Sequence, residues 1–196
     1  MWLRILLAGI VGGIAVFLMG FVCHAILELQ TRAMANIPES STFIDDVKAR
    51  GLNHGVYGFP DMPTAEEQKD AEKMKAHTEQ WMAGPSGLLI IAHPGQGMGE
   101  MLGKEFVTNV IAALLAAWIV SLFSSDIGFG RRCAAVMLMG VFAWASLGAS
   151  YGIWYGFSHE FVHDELFCAL LEWSVAGVPI AAIVRRPTAA TPANKP

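Results

Sequence analysis

Four long apolar runs, at about residues 5–27, 106–123, 133–153 and 166–184, alternate with polar stretches along this chain. Each approaches or exceeds the ~18–20 apolar residues that carry a helix across a bilayer. The pattern predicts an all-α membrane protein, a four-transmembrane-helix bundle with helix 1 in residues 1–28 and helices 2–4 in residues 105–185. One long polar interval, residues 29–104, separates the first run from the others. It reads as a small α+β insertion lying outside the membrane.

Inside that interval the apolar period shortens. Ser41 or Thr42 can cap a short helix with Phe43, Ile44 and Val47 on one face, stopped by Gly51. Gly55-Val56-Tyr57-Gly58-Phe59-Pro60 reads as an extended piece that ends in a turn at Asp61-Met62-Pro63. Leu88-Leu89-Ile90-Ile91-Ala92 is a strand able to pair with residues 55–59. Between them, Thr64-Ala65-Glu66-Glu67 matches a capping box and predicts a helix from there to about Met82, closed by Gly84-Pro85. His93 to Gly99 is glycine-rich and makes a flexible approach to the second span. So small a core needs another surface, so the insertion is expected to rest on the membrane helices or on a partner. The Pro-, Ala- and Thr-rich segment 186–196 predicts a disordered cytoplasmic tail.

Charge then sets an orientation. Arg4 precedes the first run, Arg131 and Arg132 lie between the second and third, and Arg185 and Arg186 close the fourth, with Lys195 beyond. Ser158 to Glu165, between the third and fourth, has no lysine or arginine. Short basic segments stay cytoplasmic, so both termini are expected inside, with 29–104 and 158–165 outside. In a bacterium this means the inner membrane, with the insertion in the periplasm. The first run is longer than the ~7–15 residues of a signal-peptide core. Phe21-Val22 stands before Cys23 where a lipoprotein signal needs a small residue, so a retained helix is expected.

Composition supports the membrane reading and removes others. Hydrophobic residues make up 54% of the chain and charged residues 15%, against about 25% in a soluble domain. Mean hydropathy is +0.46. The net charge of −4 and the scattered basic residues point away from nucleic acid as a partner. The lipid bilayer is the first expected partner, with a protein partner or a homo-oligomer in the membrane as the second. Cys23, Cys133 and Cys168 all lie in or beside apolar runs, where small core hydrophobes are the ordinary use of cysteine.

The first span, the Gly-x-Tyr-x-Phe-Pro-like stretch, the glycine-rich approach and Gly152-Ile153-Trp154-Tyr155-Gly156-Phe157 resemble a family of small, uncharacterised bacterial four-span membrane proteins. The likeness implies the same four-span architecture and brings no activity, cofactor or catalytic residue with it.

One constellation names a chemistry. His159-Glu160-Phe161-Val162-His163 is an H-E-x-x-H, in which two imidazoles four apart on a helix hold zinc and the glutamate activates its water. Here Asp164 and Glu165 crowd the second histidine, and only remote residues, Glu28, Glu172 or His93, offer a third ligand. The ordinary reading is a polar turn at the membrane surface; the chemical one is a zinc site on His159 and His163 with Glu28 and Glu172. His24 and Glu28 share a helical face near the end of span one, while Glu105 and Glu172 lie at membrane depth. Intramembrane carboxylates are costly and face the protein interior or snorkel to the interface. His24, Glu28, Glu172 and the 159–165 turn, brought together at the outer leaflet, can bind a cation or a polar head group. Trp2, Trp118, Trp144, Trp154, Tyr155 and Trp173 suit interface belts or helix-packing faces. Gly9-x-x-x-Gly13 and Gly148-x-x-x-Gly152 allow close helix approach.

Three functions from different classes follow. The leading expectation is a non-catalytic accessory or assembly subunit of a larger bacterial membrane complex, with no catalytic residue and no cofactor. The others are an H-E-x-x-H metal-dependent membrane hydrolase, and a small ligand- or ion-binding carrier using the outer-leaflet histidines and glutamates.

Overall fold

A computed structural model describes residues 1–184. The expected disordered tail, together with Arg185, Arg186 and Lys195, lies outside the described residues. In chain order the elements are α1 (Trp2–Phe21), α2 (Ser40–Ala49), β1 (Gly55–Phe59), α3 (Ala71–Ala83) and β2 (Gly87–Ile91). They continue as α4 (Met98–Ser121), α5 (Phe129–Ala143), α6 (Ala149–Tyr155) and α7 (His159–Ile183). A π-helical turn, Val22–Ile26, prolongs α1, and another, Trp144–Gly148, joins α5 to α6. Four continuous helices, Trp2–Ile26, Met98–Ser121, Phe129–Tyr155 and His159–Ile183, are long and apolar enough to cross a membrane.

Two of these helices extend beyond their apolar runs. α4 begins at Met98, where Glu100 and Lys104 make an i,i+4 ion pair of 2.6 Å, and α7 begins at His159. The α7 extension, His159 to Glu165, holds neither glycine nor proline, while α4 continues through Gly99 and Gly103.

The chain forms two compact units. Among the described residues the first holds 1–34, 97–150 and 158–184; the second holds 35–96 and 151–157. In the first unit α1 packs against α4 and α7, and α7 packs against α1 and α5. Its core joins Ile5, Ala8 and Val16 of α1 with Ala113, Ala116, Ala117 and Val120 of α4, Val136 of α5 and Ala176 and Ile180 of α7. Small residues bring the helices close. A Cβ on Gly13 would stand 2.6 Å from Val110 Cα, so the Gly9-x-x-x-Gly13 face is the α1–α4 contact itself. Around this thin core, large apolar side chains point outward, among them Leu3, Leu18, Phe21, Leu115, Leu122, Phe142 and Phe167.

Arg132 takes an inward position. It is 2% exposed and folds back on the α4–α5 connection, its Nε donating to Ile127 O (3.0 Å) and its Nη2 to Ser124 O (3.3 Å). The connection therefore carries a buried guanidinium that satisfies its carbonyls as well as the exposed Arg131.

In the second unit, α2 forms where Phe43, Ile44 and Val47 predict it, and Gly51, at φ +67, ends it in the left-handed region that favours glycine. β1 and β2 pair antiparallel from Gly55↔Ile91 to Phe59↔Gly87. The predicted partners are correct, with the second strand one residue earlier than expected. The helix expected from Thr64 is corrected. Thr64 and Glu67 do make the reciprocal capping bonds, Glu67 N to Thr64 Oγ1 (3.3 Å) and Thr64 N to Glu67 Oε2 (2.9 Å). They close only a single 3₁₀ turn, Glu67–Lys69. Asp70 then adopts an extended conformation and caps α3 itself, accepting from Glu72 N (3.0 Å) and Lys73 N (3.2 Å). No residue between 35 and 96 is buried.

Candidate functional site

α7 carries the polar residues that sequence reasoning singled out, and its start explains their placement. Ser158 Oγ accepts from Phe161 N (3.2 Å), an N-cap that turns residues 158–165 into the first two turns of a helix. The expected polar turn is therefore helical. His159, Glu160 and His163 face outward on those turns, the two imidazole centroids 6.4 Å apart, while Val162 and Asp164 face inward.

The zinc set expected around these histidines is not gathered. Glu172 lies nine residues beyond His163, about 13 Å along the helix axis. His24 is engaged with the Leu29 carbonyl at 3.3 Å from Nδ1, and His93 with the Pro94 carbonyl at 2.9 Å. Among the described residues no three His, Cys, Asp or Glu side chains are grouped to hold a metal ion. His159 and His163 thus stand without Glu28 or Glu172 as a third ligand. Glu105 is exposed on α4.

Asp164 belongs to a different arrangement. Its side chain is 4% exposed, and Arg32 reaches it from the loop after the first span, Nη2 at 2.5 Å from Oδ1 and Nε at 2.9 Å from Oδ2. Gln30 N donates to Oδ2 at 3.0 Å. This bidentate contact holds the guanidinium of Arg32 above its usual pKa, through the Asp164 hydrogen bond first and its charge second. Glu28 (φ +53) and Gln30 (φ +66) both adopt positive φ without being glycine, a cost of about 1–2 kcal/mol each. That reversal turns Gln30 N and Arg32 toward Asp164, which offsets the strain. Sequence gave no sign of the pair, because its members are 132 positions apart.

Below Asp164 the inward face of α7 continues through Glu165, Cys168 and Glu172. Glu165 Oε2 is buried without a hydrogen-bond partner, and Gly148 of the second π turn leaves it room: a Cβ there would sit 2.9 Å from Glu165 Cδ. Trp144, which opens the same π turn, donates its indole N–H to Val162 O at 2.9 Å. Cys168 meets Cys23 of the first π turn in a small cluster with Leu29, flanked by Met19 and Leu171. Gly20 faces Glu172; a Cβ there would lie 3.2 Å from Oε1. Both π turns among the described residues thus face one stretch of α7. Such turns recur at functional sites because they displace one residue from the regular helical register.

No protein-family model, curated protein or solved structure matches this chain. Its site is accordingly assigned from geometry and chemistry alone, and the resemblance to small four-span bacterial proteins adds no residue role. The arrangement offers an ion-paired closure at one end of α7, and below it two carboxylates and a pair of facing thiols, enclosed by α1, α5 and the two π turns.

Proposed function

We propose that this chain is a non-catalytic integral membrane subunit that assembles into a larger bacterial membrane complex. In this reading the four apolar helices form a transmembrane bundle in the inner membrane. Both termini are cytoplasmic, and residues 29–104 and the start of α7 face the periplasm. The outward-pointing leucines and phenylalanines of the first unit support a lipid surround, since a soluble monomer rarely exposes so much contiguous apolar surface.

The observation that carries the assembly role is in the insertion. A two-stranded sheet and two short helices without one buried residue are marginal alone. Val56 and Ile90, directly paired across the two-stranded sheet, are 65% and 60% exposed. An apolar cross-strand pair facing outward fits a surface that a partner protein covers. The hydrolase reading gains no support from His159 and His163, which lack a third ligand among the described residues.

Purification of the full chain from native membranes in a gentle detergent tests the proposal. One distinct protein should co-purify stoichiometrically and be lost from the Val56→Asp, Ile90→Asp double variant, while that variant still inserts in the membrane. A chain that migrates alone, or only with copies of itself, overturns the assignment.

A further inference from the structure

Two cysteines and a methionine pack in one cluster where the first π turn faces α7. Cys23 is 0% exposed and Cys168 is 4% exposed, and the two side chains pack in one buried cluster between the first π turn and α7. Met19, one turn before Cys23, packs on the same cluster, with Leu29 and Leu171 supplying its apolar walls. The extra residue of the Val22–Ile26 turn is what changes the register of α1 here, and Cys23 lies within it. His24, the neighbouring nitrogen donor, is turned away and held by the Leu29 carbonyl. The cluster itself is built of sulfur-bearing and aliphatic side chains, with Glu172 one turn beyond Cys168 and its Oε1 toward Gly20.

Two thiols and a thioether in an apolar enclosure select one class of ligand. Zinc needs four ligands in a tetrahedron and hard cations need oxygens, whereas thiolate and thioether sulfurs select monovalent copper. We propose that Cys23 and Cys168, with Met19 as a weaker third donor, form a buried site for a soft monovalent cation of the Cu(I) class. Binding forms two S–Cu bonds and breaks two S–H bonds, the cation displacing both thiol protons to the medium; no electron is transferred. The bound complex carries a single negative charge, the least that two thiolates and a monovalent ion can leave. Cys133, the third cysteine, lies on α5 with its thiol toward Gly177 O at 3.5 Å and takes no part.

The test is an anaerobic competition titration of the reduced full-length protein in detergent with Cu(I) buffered by bicinchoninate. One Cu(I) per chain should bind. Cys23→Ser and Cys168→Ser should each weaken binding by about 100-fold or more, Met19→Leu by about 10-fold, and Cys133→Ser should leave it unchanged. Size-exclusion elution and thermal melting of each serine variant, matched to the parent protein, separate ligand loss from misfolding. Absence of binding in the parent protein overturns the site, as does binding that survives both serine replacements in correctly folded protein. A Cys23–Cys168 disulfide in freshly isolated, unreduced protein also overturns it, because the thiols would then be a covalent staple.

Discussion

Arg32 and Asp164 form a bidentate ion pair, with Nη2 at 2.5 Å from Oδ1 and Nε at 2.9 Å from Oδ2, and so fasten the end of the first span to the start of the fourth. The pair is asymmetric: the Arg32 side chain is 60% exposed and that of Asp164 4%. Removing the arginine leaves a buried carboxylate with only Gln30 N, the costly way to break such a pair. Arg32→Ala is expected to lower the melting temperature by several degrees, Arg32→Lys by less because one donor replaces a planar fork. Lys104→Ala, at an exposed i,i+4 pair, should cost no more than about 0.5 kcal/mol. Differential scanning fluorimetry in detergent orders the three.

The position of the true cap on α3 gives a second expectation. Asp70→Ala removes the acceptor for Glu72 N and Lys73 N and should cost about 1 kcal/mol of local stability, read by hydrogen exchange over residues 71–83. Thr64→Ala should leave those amides unchanged, since its bonds close a separate turn. That turn has a pH dependence of defined sign. Glu67 is held below the ordinary glutamate range, by the Thr64 backbone N–H first and its hydroxyl second. Its stabilisation is complete above that ordinary range and is lost as pH falls through the lower value of the folded protein. Protection at Gln68 N, which donates to Thr64 O at 2.9 Å, should therefore decline in acid and stay constant through neutral pH.

These two sites show what the chain made legible. Local signals located their elements: Gly51 ended α2, and the apolar runs at 55–59 and 88–92 found each other within one residue. The Thr64–Glu67 signal was real but met a stronger competitor in Asp70, whose extended backbone and two accepted amides restart the helix. Long-range relations were not legible. Asp164 looked like crowding beside His163 until Arg32 arrived from 132 residues away. The charge pattern places Arg132 in a short basic connection without showing that its side chain turns inward to the Ile127 and Ser124 carbonyls. The π turns left no pattern at all, because one displaced residue per helix is invisible in an apolar run.

Helix approach gives a third expectation. Gly13→Ala places a methyl 2.6 Å from Val110 Cα, and overpacking of this kind costs about 1–3 kcal/mol. Gly99→Ala, in the first turn of α4 with nothing within 4 Å, should be neutral or slightly stabilising. Thermal melting of the two variants separates a packed glycine from a merely flexible one.

Membrane orientation is tested by cysteine labelling with an impermeant maleimide in a chain whose three native cysteines are serine. A cysteine at Ser158 should be modified from the periplasm and one at Ser125 spared. The reverse pattern would invert the topology and place the insertion in the cytoplasm.

The assembly role is tested most directly by a photo-crosslinking amino acid at Ile90, activated in intact cells. Ile90 is 60% exposed and stands opposite Val56, so a docked partner must lie within reach. One discrete adduct with a single different protein is expected, abolished by Val56→Asp, and absent when the crosslinker is moved to Lys75 on the exposed face of α3. No adduct at Ile90, or an adduct only between copies of this chain, would contradict a role as a subunit of a larger complex.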